Sequence, residues 1–86
     1  MVRREISKIE DPNWRQLAIN VKDNVLYYRE KMSWSQEELA HAAGVSKSTI
    51  SDIERGLWTN PGIELIGSLT TAFSLNDPLS LLKKRK

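Results

Sequence analysis

Cysteine is absent from this sequence, so neither a disulfide framework nor a thiolate metal site can hold the fold together. The single histidine, His41, leaves no imidazole cluster for a metal, and no glycine-rich run is present to cradle a phosphate. No uninterrupted apolar stretch reaches membrane length and no secretion signal opens the chain, so the expected location is the cytoplasm. Glu37 and Glu38 come nearest to a carboxylate pair, but they are neighbours on one helix rather than converging groups, and His41 has no partner for acid–base work. Neither an enzyme nor a cofactor-binding protein is expected.

What is present fits one small domain: 86 residues bury a modest core, which a dimer interface can supplement. The net charge is only +2, yet its distribution is uneven. Arg3 and Arg4 open the chain, and Lys83, Lys84, Arg85 and Lys86 close it. Removing those six from thirteen basic residues leaves seven against eleven acidic ones, so the body carries about −4. A body with that balance needs a polarised surface to meet a polyanion, with Lys47 and Arg55 on one side and Glu37 and Glu64 turned away. For the terminal KKRK run two readings stand, a solvated tail and an arm that touches phosphates.

The chain is organised around Ser35 to Gly56, SQEELAHAAGVSKSTISDIERG. Ser35 is placed to cap a helix and Glu38, three residues on, to complete a capping box. Leu39, Ala40 and Ala43 then mark a core-facing stripe. Gly44 stands where a chain leaving a helix needs positive φ, and Ser46 can cap a second helix with Ile50 and Ile53 inward and Gly56 as its stop. The outward face of that second helix is Lys47, Ser48, Thr49, Ser51, Asp52 and Arg55. It is a poor core face, but its hydroxyls and its N-terminus can meet phosphates and its polar groups can meet base edges in the DNA major groove.

This stretch resembles the helix-turn-helix of the Cro and phage-repressor type, the Xre-like family of prokaryotic and phage transcriptional regulators. The likeness lies in the S-Q-x-E-L-A start, in Gly44-Val45-Ser46 at the turn, and in Ile50-x-x-Ile53-Glu54-x-Gly56 at the end; flanking helices extend it over about residues 20–82. The resemblance implies that Gln36 grips a phosphate and that Lys47, Ser48 and Asp52 face the bases. Ser46, Thr49, Ser51 and Arg55 are then expected at phosphates or the groove edge. Asp52 departs from the neutral or basic residue frequent at this position; it either accepts from a cytosine amino group or only repels wrong sites. Arg29 and Glu54 match a pair that forms a largely buried ion pair in family members, which implies a structural role for both.

From the start of the chain, residues 1–10 read as an arm. Asp11-Pro12 then opens a helix running to about Lys31, with Trp14, Leu17, Ala18, Val21, Val25 and Tyr28 as its buried stripe. Compared with the family, this helix begins about two turns early. The added turns, with Trp14 and Leu17, are expected to pack on the domain; a dimer or partner surface is the alternative. Trp34 suits a hydrophobic staple and His41 an exposed surface. After Gly56 the loop Leu57 to Pro61 faces the phosphate backbone in relatives, so Thr59 and Asn60 are expected phosphate donors, and Trp58 either packs or lies across the sugar–phosphate chain. A helix is predicted over about residues 63–73 with Ile66, Leu69 and Phe73 inward; Gly67 inside it, costing roughly 1 kcal/mol against alanine, suggests a close contact. Asn76-Asp77-Pro78 begins a last helix through Leu82.

The expected fold is thus all-α, a compact five-helix bundle of the phage-repressor DNA-binding type with an extended first helix. Its layout is an arm (1–10), a DNA-binding domain (11–82, with the helix-turn-helix at 35–56) and a basic tail (83–86). The expected function is sequence-specific binding of double-stranded DNA as a transcriptional regulator, dimeric on a partly palindromic site. The alternative is an antitoxin-like protein-binding module whose DNA binding is secondary.

Overall fold

The computed structural model describes residues 4–58 and 62–85, with Arg4 and Trp58 described by their backbone alone. The first helix, α1 (Pro12–Lys31), begins as its sequence dictates: Asp11 accepts from the N–H groups of Asn13 and Trp14, and proline occupies the first turn. Ala18, Val21 and Val25 form its buried stripe, flanked by half-buried Trp14 and Tyr28. Leu17 does not join them. It lies about 100° around the helix from Ala18 and is 47 % exposed, so the expected stripe is narrower than its apolar spacing.

Beyond a turn with Ser33 in the left-handed region, α2 (Gln36–Ala43) carries the full capping box: Ser35 accepts from the Glu38 N–H while Glu38 accepts from the Ser35 N–H. Gly44 ends it at φ 71°, with open space where a Cβ would be, so backbone conformation rather than crowding calls for glycine here. Ser46 then caps α3 (Lys47–Glu54) by accepting from the Thr49 N–H. Leu39, Ala40, Ala43, Ile50 and Ile53 bury the inner faces of this helix pair against α1 and α4 (Ile63–Ala72). In α4, Leu69 is buried and Ile66 half-buried. Phe73, just past its end, stacks near Trp34 and Tyr28. Gly67 is exposed with nothing within 4 Å of a would-be Cβ, which overturns the expected close contact.

Two further departures concern the ends. The segment read as an arm is built into the domain: Ile6 and Ile9 are buried, Ile6 opens a 3-10 turn, and the Ile6 N–H donates to the Gly56 carbonyl at 2.9 Å. The preceding strand β1 (Arg4–Glu5) pairs antiparallel with β2 (Leu57–Trp58), Arg4 opposite Trp58 and Glu5 opposite Leu57. At the other end, Asp77 caps as expected, but the element it starts, Pro78–Leu81, is a single 3-10 turn rather than a fifth α-helix. The described residues therefore hold four α-helices and two 3-10 turns.

The segment after that C-terminal turn is held on α1. Asn24, 1 % exposed, donates to the Leu81 and Lys83 carbonyls at 2.9 and 2.8 Å, and Asn20 donates to the Leu82 carbonyl at 2.9 Å. These side-chain amides satisfy three carbonyls from the last residue of the 3-10 turn onward and tie the segment to α1. The Asn24 oxygen accepts from Arg85, whose guanidinium stacks 3.4 Å from the Tyr27 ring centroid. Residues two apart on a helix point about 200° apart. Lys22 and Arg29, which face the end of α3, therefore lie on the flank of α1 opposite Asn20 and Tyr27, which hold the C-terminal segment.

Candidate nucleic-acid interface

With Ile50 and Ile53 inward, the open side of α3 presents Ser46, Lys47, Ser48 and Arg55, all exposed, with Thr49 and Ser51 half-buried. This gives one cation near each end of a helix whose free surface is otherwise short and hydroxyl-bearing. Ser46 Oγ and Thr49 Oγ1 lie 2.9 Å apart, so the two hydroxyls order each other at the helix N-terminus, where the backbone dipole favours an anion. Asp52 departs from expectation. It is only 5 % exposed and lines a hollow with Lys47, Ser48, Ser51 and Arg55. A direct base contact by Asp52 does not follow from that position.

Behind the open face, Arg29 grips Glu54 with two hydrogen bonds, Nε to Oε2 at 2.6 Å and Nη2 to Oε1 at 3.0 Å. This is the ion pair expected from the resemblance. The guanidinium also donates to the Trp34 carbonyl at 2.7 Å, and Gln36 Nε2 donates to Glu54 Oε1 at 3.0 Å. The hydrogen bond to Glu54 raises the Arg29 pKa further above its ordinary value, reinforced by the charges of Glu54 and Glu30 and opposed by burial. One network thus joins α1, the turn before α2, the first turn of α2 and the last residue of α3. Gln36, expected on a phosphate, is committed to this network by one amide hydrogen and keeps the other for an external acceptor.

The basic termini are placed differently from each other. Arg85, read as part of a tail, is half-buried on Tyr27, on the flank of α1 away from α3, whereas Lys83 and Lys84 are exposed beside it. Arg3, Lys86, Thr59 and Asn60 lie outside the described residues, as do the side chains of Arg4 and Trp58. His41 is exposed on the outer side of α2. Sequence reasoning missed Asn20, Asn24 and Tyr27; the one available signal was a pair of asparagines at i and i+4 within an otherwise apolar helix stripe.

A box-capped helix, a left-handed glycine turn, a second helix with an open hydroxyl-rich face and an arginine–glutamate tie to the helix behind together define a helix-turn-helix domain. The helix-turn-helix family profile matches residues 25–76, and the chain belongs to that family, of the Xre-like, phage-repressor type. It is 36 % identical over 56 residues to the HTH-type transcriptional regulator SinR of Bacillus subtilis, covering 65 % of this chain and 50 % of the relative. To SlrR of the same organism it is 38 % identical over 48 residues, covering 56 % and 32 %. The chain thus spans about half the length, or less, of these curated relatives. Among solved structures, it matches a hypothetical transcription factor, NHTF, from Neisseria with a TM-score of 0.73 at 29 % identity, covering 79 % of this chain and 74 % of the other. The N-terminal DNA binding domain of SinR from Bacillus subtilis matches with a TM-score of 0.69 at 34 % identity, covering 76 % and 93 %. No helix among the described residues is long and apolar enough to cross a membrane.

Proposed function

We propose that this chain binds double-stranded DNA site-specifically and regulates transcription, as a repressor that acts as a dimer on a partly palindromic site. The observation that carries this reading is the open face of α3, where Lys47 and Ser48 stand exposed at the hydroxyl-capped N-terminus of a helix braced from behind. Lys47 and Ser48 are assigned to base edges, and Ser46, Thr49, Ser51, Arg55 and the remaining amide hydrogen of Gln36 to phosphates or the groove edge. Thr59 and Asn60 are assigned to the phosphate backbone through the family resemblance. The SinR fragment that this chain resembles is described as a DNA binding domain, and its likeness supports the assignment.

The test is binding of the purified protein to the DNA upstream of its own gene and to a scrambled duplex across a salt series. Selective binding that survives physiological salt is expected, with Lys47→Ala and Ser48→Ala lowering specific affinity more than non-specific affinity. Equal losses on both duplexes would move the two residues to the phosphates. Sedimentation at micromolar concentration is expected to give a dimer, and a monomer at all concentrations would remove the palindrome.

A further inference from the structure

We infer that residues 4–9 form a brace that sets the pose of α3, making Ile6 a positioning residue for sequence-selective recognition; this rests on the DNA-binding reading above. The segment is anchored on α1, where Arg15 Nη1 donates to the Ile9 carbonyl at 2.7 Å and Ile9 is 1 % exposed. From that anchor it reaches the exit of α3. The Ile6 N–H holds the Gly56 carbonyl, the Ile6 side chain lies 3.9 Å from where a Gly56 Cβ would stand, and β1 pairs with β2 directly beyond. Glu5, Ile6 and Ser7 line one hollow with Arg15, Ile19 and Lys22 of α1 and with Glu54 to Leu57.

The C-terminal end of α3 is therefore held twice by α1: through the Glu54 carboxylate by Arg29, and through the Gly56 backbone by way of the N-terminal segment. The N-terminal segment that makes the second hold lies outside the region matched by the family profile, which begins at residue 25. It matters because α3 is short. A helix of eight residues is about 12 Å long, so a tilt of about 5° at its C-terminal end moves Lys47 by about 1 Å. Base-edge hydrogen bonds need geometry held to about 0.5 Å, whereas attraction to phosphates tolerates such a shift.

The test uses the full chain carrying Ile6→Pro, compared with Ile6→Ala. Glu5 has φ −67° and ψ 142°, the extended conformation that a residue before proline requires, and position 6 opens a helical turn, where proline fits. Proline removes the N–H bonded to Gly56, whereas alanine keeps it and trims the side chain. Affinities are measured on an operator selected from a random duplex pool and on a scrambled duplex, at a temperature where circular dichroism shows both variants folded. Amide exchange is followed in parallel. Ile6→Pro is expected to lose roughly three- to tenfold more specific affinity than Ile6→Ala, the scale of one net hydrogen bond, with scrambled-duplex affinity unchanged. Exchange at Gly56 and Leu57 should speed up while α2 amides hold. Equal specific affinities of the two variants, or parallel losses on both duplexes, overturn the brace and leave the DNA-binding reading intact. A wild-type chain that selects no sequence from the pool overturns that reading and the brace with it.

Discussion

Replacing Asn24 by alanine is expected to destabilise the domain by about 3 kcal/mol. The side chain is buried and makes three hydrogen bonds, donating to the carbonyls of Leu81 and Lys83 and accepting from Arg85. A net bond between neutral groups contributes about 1 kcal/mol and one to a charged group about 1.5 or more. Lys83 is exposed and Arg85 half-exposed, so water recovers part of what they lose, but the Leu81 carbonyl is buried and has no such recourse. A loss of about 3 kcal/mol is more than a fifth of the roughly 4–13 kcal/mol expected for a chain of this length. At about 4–8 °C per kcal/mol it lowers Tm by roughly 12–24 °C. Urea unfolding followed by tryptophan fluorescence measures it. Arg85→Ala alone should cost about 1 kcal/mol or less, and the double variant should cost less than the two single losses together, because both break the same bond. A loss below about 1 kcal/mol for Asn24→Ala, or losses that simply add, would refute the clamp.

Three further outcomes are expected. Glu54→Ala should cost about 2–4 kcal/mol by stranding Arg29, and Arg29→Met with Glu54→Met should recover much of it; urea midpoints decide between them. Gly67→Ala should stabilise by roughly 0.5–1 kcal/mol, since the position is helical, exposed and open around a would-be Cβ; an unchanged or lower Tm would mean that this space is filled. Asp52→Ala should lower Tm yet leave the preferred operator unchanged in competition binding, because the buried side chain lies below the reading surface; a new base preference at one position would return Asp52 to the bases.

Local chemistry made the middle of the chain legible. The Ser35 capping box, left-handed Gly44, the Ser46 cap and the Asp11-Pro12 start each depend on residues within a few positions, and each stands as its sequence indicates. The Arg29–Glu54 pair was readable only through family resemblance, since 25 residues separate its partners. What escaped is non-local. Asparagine is usually a surface residue, and nothing near Asn20 or Asn24 reveals carbonyl partners 57 to 62 positions away. Ile6 and Ile9 are too few to show a period, and Asp77-Pro78 announces a start without saying how many turns follow. Leu17 lies outside the buried stripe despite its apolar spacing, and Asp52 is buried despite its charge; neither exposure follows from residue type alone.

The opposed flanks of α1 also carry a practical meaning for anyone who attaches something to this protein. A dye attached at Lys84, exposed beside Arg85, stands on the side of α1 that bears Tyr27, the flank away from α3. The same dye attached at Ser7, exposed on the N-terminal segment, stands at the hollow shared with Gly56, against the exit of α3. The rear position is therefore the one suited to a label that must leave the open face of α3 undisturbed.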